Sequence, residues 1–513
     1  MAKTKKTPSP QIPPWSNPYI IVGVVAVAAV VCFFPVTKYF FLQDDFILLE
    51  DAAFKPNTAF AAVFESNPGL FRPLTKVAYF AAMYKWAGLN PLPYHIVSLL
   101  LHVINIFLFF HLLRRFKIGA QGAMIVTALF ALNVAFLDVL AWICCVQQLA
   151  ALMFLLLGLH WGVRAIETKS IKFILPAIGV YVLALMSMEQ TYALALILFL
   201  YAFQHTKTGG FQTRLRTAAI DTAPFLAVML LYFIFFLGWK GLPGGGPYQL
   251  HIGANVVSNI LTYLDWVFDL SVVMPFVTDV AGSGLTATHL VIVGLVAYGL
   301  ARGREQIVVF ALSFYFLTLL PVLFLDKHAF YLHNYIPSFG IFLLLAPVAQ
   351  DLYELLENRH PGYGRGVAVL FVLLIAIMSF TKIRFNETNI LREDIRLPKN
   401  FVLRRAVIAR NAYEDITSKT DTRRQPRQLF MVFKDRSGWY RDNVTAALGK
   451  ASAPRLFYSS PAMAVFYHDW GDTLHTYDPN NSVMLFFDHT GHCFTSEEIE
   501  ADGRGATQIL EPR

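Results

Sequence analysis

Tyr94-His95-Ile96-Val97-Ser98-Leu99-Leu100-Leu101-His102-Val103-Ile104-Asn105-Ile106-Phe107-Leu108-Phe109-Phe110-His111-Leu112-Leu113 contains no Lys, Arg, Asp or Glu, and it runs into Arg114-Arg115-Phe116-Lys117. Wound as a helix, such a run reaches across the hydrocarbon core of a bilayer, which takes about 20 residues. The basic cluster at its end marks that end as cytoplasmic. A chain inside lipid must satisfy its backbone hydrogen bonds internally, so runs of this kind predict helices.

Outward from this stretch the pattern recurs at 19–36, 120–137, 142–163, 171–188, 191–203, 223–239, 289–300, 307–325, 336–349 and 367–380. Eleven spans are therefore expected. A twelfth run, 256–276, holds Asp265 and Asp269 near its middle. It is expected to lie at the outer interface or dip in partly as an amphipathic helix. With the leader 1–18, which includes Lys3-Thr4-Lys5-Lys6, placed inside, the basic loops at Arg114–Lys117, Arg164/Lys169/Lys172, Lys207/Arg214/Arg216, Arg302/Arg304 and Arg359/Arg365 all fall on the cytoplasmic side. The expected topology is N-terminus cytoplasmic and C-terminus extracytoplasmic, in a bacterial-type inner membrane. The first run follows a Pro-containing leader and ends in no small-residue cleavage site, so it reads as a span and not a signal peptide.

Composition agrees. Of 513 residues 56% are hydrophobic and 15% charged, with mean hydropathy +0.51; a soluble domain carries about 25% charged residues. The 45 Phe, 22 Tyr and 8 Trp exclude a disordered chain. A net charge of +8 and pI of about 9.1 would raise nucleic-acid binding in a soluble protein, but here the basic residues follow the membrane topology, and no nucleic-acid partner is expected. Cys32, Cys144 and Cys145 sit in apolar runs and Cys493 stands alone, so they read as buried small hydrophobes.

After residue 383 the character changes: 35 of the 130 residues from 384 to 513 are charged. The expected organisation is a leader 1–18, an all-α polytopic membrane domain 19–383 with a large first external loop 37–93, and a small α/β extracytoplasmic domain 384–513. In the latter, 384–418 reads as helical, and 428–433, 455–458, 463–467 and 482–487 read as strands between turn-rich stretches.

The loop opens on Tyr39-Phe40-Phe41-Leu42-Gln43-Asp44-Asp45-Phe46. Adjacent acids at the edge of hydrocarbon are costly and are candidate catalytic groups; burial and mutual repulsion would raise a carboxylate's pKa toward that of a general base. The same pair fits a solvated turn that caps the span. Phe71-Arg72-Pro73-Leu74-Thr75 follows, and Arg72 could hold a phosphate bidentately or snorkel from the interface. His95 and His102, seven apart, share a helix face but are too widely spaced for one metal ion, and packing histidines would fit equally. Gly241-Leu242-Pro243-Gly244-Gly245-Gly246-Pro247 lacks the Lys-Ser/Thr of a phosphate loop and reads as an external loop.

Asp44-Asp45, then Phe71–Thr75, then Tyr94-His95 with Leu99-Leu100-Leu101-His102 resemble, in order and spacing, the GT-C-fold glycosyltransferases, most closely the transmembrane and tetratricopeptide-repeat O-mannosyltransferases and their bacterial relatives. The resemblance continues through Leu129-Phe130-Ala131-Leu132-Asn133 to Asp138-Val139-Leu140-Ala141, through Met186-Ser187-Met188-Glu189, and through Tyr335-Ile336-Pro337-Ser338-Phe339-Gly340. It covers roughly 37–340. Departures are clear: the family's His-Pro is Asn133-Val134, its Arg and Asp fall on Val146 and Gln148, its Lys is Met188, the Arg before the last motif is absent, and the tail has no tetratricopeptide repeats.

The resemblance implies an inverting glycosyltransferase that moves a sugar from a polyprenyl-phosphate donor to a hydroxyl acceptor on protein, lipid or glycan at the outer face. Asp44 and Asp45 would be catalytic and Asp138 and Glu189 supporting acids. Arg72, His95, His102, Lys327, His328 and His333 would serve the donor phosphate or substrate. No Cys/His cluster has transition-metal spacing, while Asp45, Asp138 and Glu189 leave room for a divalent cation. Two other classes stay open. A secondary transporter would place charge mid-membrane and show internal repeats, and a surface-polysaccharide polymerase or ligase shares many spans and a large external loop.

Overall fold

The computed structural model describes residues 17–501 except 65–69, 241–248, 269–284, 327, 392–395, 434–437, 471–477 and 479. The lysines of the leader, the glycine-rich stretch 241–247, Lys327 and the second part of 256–276 lie outside the described residues.

Helix α1 (Pro18–Phe33) begins where the Asn17 side chain accepts the Tyr19 N–H and proline takes the first helical position, both favourable starts. The stretch before the next apolar run is itself helical, with α2 (Asp44–Phe54), α3 (Pro56–Val63) and α4 (Tyr79–Ala87). Asn90 then caps α5 (Pro91–Arg115) in the manner of Asn17. Next come α6 (Ala120–Ala131), α7 (Leu137–Ala141), α8 (Val146–Thr168), α9 (Ile171–Leu185), α10 (Ala193–His205), α11 (Phe211–Phe235) and α12 (Ala254–Asp265). The series closes with α13 (Ala287–Ala301), α14 (Glu305–Leu323), α15 (Tyr335–Arg359) and α16 (Tyr363–Thr388).

All eleven apolar runs fall on helices, and the chain is a multi-pass integral membrane protein. Seven helices are long and apolar enough to cross a membrane, or eight if α6 and Val134–Ala141, bent by 44° at their break, form one span. The sequence expectation of eleven is corrected in one respect: α9, α10 and α13 have 15, 13 and 15 residues, which at about 1.5 Å per residue fall short of the bilayer core. Between α9 and α10 the chain leaves the helix after Leu185 and makes a 3-10 turn over Glu189–Tyr192. The described part of 256–276 is helical, as expected, and α12 is too short to span.

Close packing rests on small residues and buried polar bridges. Gly340 lets α15 cross α14, because a methyl group there would strike the Ala311 carbonyl. His102 Nε2 donates to the Ala131 carbonyl at 3.1 Å, which leaves Nδ1 to accept from the Tyr335 hydroxyl at 2.9 Å. Asn105 donates to the same hydroxyl at 3.2 Å and to the Leu149 carbonyl at 3.0 Å.

The remaining part is mixed. A four-stranded sheet of β1 (Gln428–Phe433), β2 (Ala464–Asp469), β3 (Ser482–Phe487) and β4 (Cys493–Phe494) has the order β2-β1-β3-β4. Central β1 is parallel to β2 and β3, and β4 is antiparallel to β3. Helices α17 (Phe401–Lys419), α18 (Trp439–Ala447), α19 (Ser452–Phe457) and α20 (Ser496–Ala501) accompany it. β1 is buried from Leu429 to Phe433, as a strand with parallel neighbours on both sides should be. Two expectations are corrected. Residues 455–458 end a helix instead of forming a strand. The single helix expected over 384–418 is broken: α16 ends at Thr388, an isolated bridge pairs Ile390 with Pro398, and α17 starts afresh at Phe401. Proline cannot donate its nitrogen to a continuing helix.

This part shares a core with the segment after α1. Phe40 stacks on Tyr413 at 4.9 Å, and Phe46 meets Phe457 edge-on at 5.7 Å; such pairs contribute about 0.5–1.5 kcal/mol beyond their buried area.

Candidate active site

Gln43 takes φ 47° and ψ −110°, a backbone costly for any residue but glycine, by about 1–3 kcal/mol. The turn redirects the chain so that α2 starts with Asp44 and Asp45 in its first turn, where the helix N-terminus favours negative charge.

The two acids then part. Asp45 is 0% exposed, and its carboxylate accepts the Leu42 N–H at 3.0 Å and the Cys144 N–H at 2.7 Å. Burial pushes its pKa well above the ordinary carboxylate range, outweighing the backbone N–H groups that favour its charge. Asp44, half-buried, lines a cavity of about 850 Å³. Arg72, Lys76, Glu189, His328 and His333 line the same cavity, with Trp142 from just after α7, Gln147 and Gln148 from the start of α8, and Arg405, Gly449 and Lys450 from the mixed part. Its apolar wall includes Tyr232, Phe233, Phe236, Leu237, Leu320 and Phe324.

Two of the sequence motifs dock on one another, and the residue after the second reaches the segment before a third. In the first, the Leu74 N–H donates to the Met186 carbonyl at 3.1 Å, and the Thr75 hydroxyl to the Ser187 carbonyl at 2.8 Å. Arg72 forks onto Glu189, with Nε to Oε2 at 2.8 Å and Nη2 to Oε1, while Nη1 donates to Gln147. Gln190, next in the chain, donates to the His333 carbonyl at 3.2 Å and the Thr318 carbonyl at 2.9 Å, fixing the segment that opens α15. Burial acts to raise the Glu189 pKa, but the charge and hydrogen bonds of Arg72 outweigh it and hold the carboxyl below its usual value. Lys76, one turn past Arg72, has its pKa lowered by burial and by the Arg72 charge, against the pull of Asp44 and Glu189. Burial also lowers His328, opposed by Asp44.

Several buried polar atoms at the cavity have no hydrogen-bond partner among the described residues: Trp142 Nε1, Gln148 Oε1, Arg405 Nε and both ring nitrogens of His333. Unpaired buried donors and acceptors are rare and costly, so the cavity sets unmet polar groups beside an apolar wall.

Of the expected site residues, Asp44, Arg72, Glu189, His328 and His333 converge. Lys327 lies outside the described residues. Three others point elsewhere. His95 Nε2 donates to the Tyr39 carbonyl at 3.0 Å, and His102 bridges helices as described. Asp138 accepts from Asn400 at 2.7 Å. Asp45, Asp138 and Glu189 thus have separate partners, and among the described residues no group of three or more His, Cys, Asp or Glu could hold a metal ion. Sequence reading missed Lys76, Trp142, Gln147, Gln148, Arg405 and Lys450. The four-residue spacing of Arg72 and Lys76 was a usable signal for the first; the others are brought in only by the fold.

No family model and no curated protein matches the sequence. Among solved structures, the chain is similar to ArnT from Cupriavidus metallidurans in the apo state, with 14% identity and a TM-score of 0.39 over 87% of this chain and 75% of that one. It is also similar to ArnT from Cupriavidus metallidurans bound to undecaprenyl phosphate, with 15% identity and a TM-score of 0.38 over 87% and 76%. Likeness at this distance decides nothing about the site.

Proposed function

We propose that the chain is an inverting GT-C-type glycosyltransferase that moves a sugar from a polyprenyl phosphate to a hydroxyl acceptor at the outer face of the membrane. The N-terminus would lie inside and residues 384–513 outside. The observation that carries this reading is the placement of Asp44 in one cavity with the cations Arg72 and Lys76, against an apolar wall.

Each part has a task. The prenyl chain lies along Tyr232, Phe236 and Leu237, and its phosphate meets Lys76 and the outer face of Arg72. Asp44 takes the proton of the acceptor hydroxyl. The acceptor oxygen bonds to the anomeric carbon as the bond from that carbon to the phosphate oxygen breaks, and the configuration inverts. The bonding electrons leave with the phosphate, whose added charge the two cations stabilise. His333, with both ring nitrogens unspent, hydrogen-bonds the sugar or its phosphate. Asp45 supports Asp44 by fixing the backbone of Leu42 and Cys144 and takes no proton from substrate.

Sugar transfer by the full-length protein in vesicles containing polyprenyl-phosphate sugar tests the reading. Asp44→Asn should abolish transfer while the protein still binds undecaprenyl phosphate. Wild-type activity in Asp44→Asn would overturn it.

A further inference from the structure

The cavity is not closed by the membrane helices alone. Asn400 caps α17 by accepting the N–H groups of Val402 and Leu403 at 2.9 and 3.0 Å while its amide donates to Asp138. One turn on, Arg405 donates to the Gln43 side chain, beside Asp44. The end of α18 and the residues after it reach the same turn. The Gln43 N–H donates to the Ala447 carbonyl at 2.8 Å, and Gly449, at φ 57°, packs so tightly on the Gln43 carbonyl that a side chain would collide with it. Lys450 follows at φ 58° and is exposed at the cavity.

Arg405 and Lys450 thus reach the cavity from the mixed part, whereas Arg72 and Lys76 reach it from the segment between α3 and α4. Arg72 is occupied by Glu189, but neither Arg405 nor Lys450 forms an ion pair among the described residues. Arg405 Nε is buried without a partner, and burial and neighbouring Arg404 lower its pKa, against Asp44. Two cations without an ion-pair partner among the described residues, at a cavity, attract an oxyanion. In the reading above the leaving phosphate is served by Arg72 and Lys76, so an anion at Arg405 and Lys450 is assigned to another molecule.

We propose that Arg405 and Lys450 form a second oxyanion subsite that receives a phosphate or carboxylate group of the acceptor, holding its hydroxyl toward Asp44. The substrate class is therefore an anionic acceptor. This rests on the glycosyltransferase reading above, but it makes a separate claim about binding.

The test uses the full-length protein in nanodiscs of zwitterionic lipid. Undecaprenyl phosphate is titrated first, and its binding reports on the donor reading alone. The saturated protein is then titrated with inorganic phosphate and with glycerol 1-phosphate, and in a parallel arm it is placed in nanodiscs containing phosphatidylglycerol. A saturable second anion site is expected, weakened about tenfold or more by Arg405→Gln and by Lys450→Gln. Arg405→Lys should restore part of it, and undecaprenyl phosphate binding should be unchanged. Occupancy by the free phosphates marks a soluble acceptor group, and occupancy only with phosphatidylglycerol marks a lipid headgroup. Lys450 is exposed, so its variant reports on the site even where an Arg405 variant folds poorly. Absence of a second site in both arms, or a second site indifferent to Arg405→Gln and Lys450→Gln, would overturn the proposal while leaving the donor result standing.

Discussion

Asn400 donates to the carboxylate of Asp138 at 2.7 Å across 262 positions of sequence. The bond seats the start of α17 on α7. An acid expected from its motif to assist chemistry here accepts a hydrogen bond from the residue that caps α17.

Removing either partner should loosen that seat. Asp138→Ala and Asn400→Ala should each cost about 1–3 kcal/mol, read as a lower unfolding temperature in detergent. The double variant should cost less than the sum, since one bond is lost in both. Strict additivity would show that the pair does not interact.

The adjacent acids should behave differently. Asp44→Asn should retain wild-type thermal stability and lose transfer by about 10²–10⁴-fold. Asp45→Asn should lower stability as well, because an amide oxygen replaces only one of the two acceptors that hold Leu42 and Cys144. Equal melting temperatures for both variants would contradict the division.

Arg72→Gln leaves Glu189 buried without its cation, a change that costs about 3–5 kcal/mol for buried pairs. Both side chains are largely buried, at 10% and 18% exposure. Arg72→Gln with Glu189→Gln should recover part of the loss in a thermal melt. Undecaprenyl phosphate binding should stay weak in the double variant, since the phosphate still lacks Arg72.

The pH dependence has a definite sign. Glu189 is held below its ordinary value of 4.5 in the fold, so at mildly acidic pH the unfolded chain binds more protons than the folded one. Its contribution to stability is present above about pH 4.5 and is lost as pH falls through the folded value. Denaturant melts of wild type and Glu189→Gln should therefore converge as pH drops below about 4.5. Parallel curves throughout would refute the assignment.

Much of the fold was legible because lipid imposes long apolar runs, and all eleven fell on helices. The strands 428–433 and 482–487 were equally legible as short apolar runs between turns. Leu456-Phe457-Tyr458 fits either element as a short apolar run; the Phe457 ring packs on Phe46 and Tyr413, contacts no local window contains. The site was partly legible. Acids and Arg72 stand out against an apolar background, but a helix face tells only that His95 and His102 point the same way, not that protein fills the space they face. Arg405 and Lys450 lie among ordinary surface charges and acquire meaning only where α17 and Gly449 meet Gln43.

That meeting also sets an order on synthesis. A ribosome delivers the chain from its N-terminus, and domains generally fold in that order. By the time Gly449 and Lys450 emerge, α1 to α16 have all been translated. Gln43, in its costly backbone conformation, must wait for about four hundred residues before Ala447 and Arg405 can hold it. The cavity is thus complete only after the membrane helices are already made, and a stalled or prematurely terminated chain would carry Asp44 without the groups that complete its surroundings.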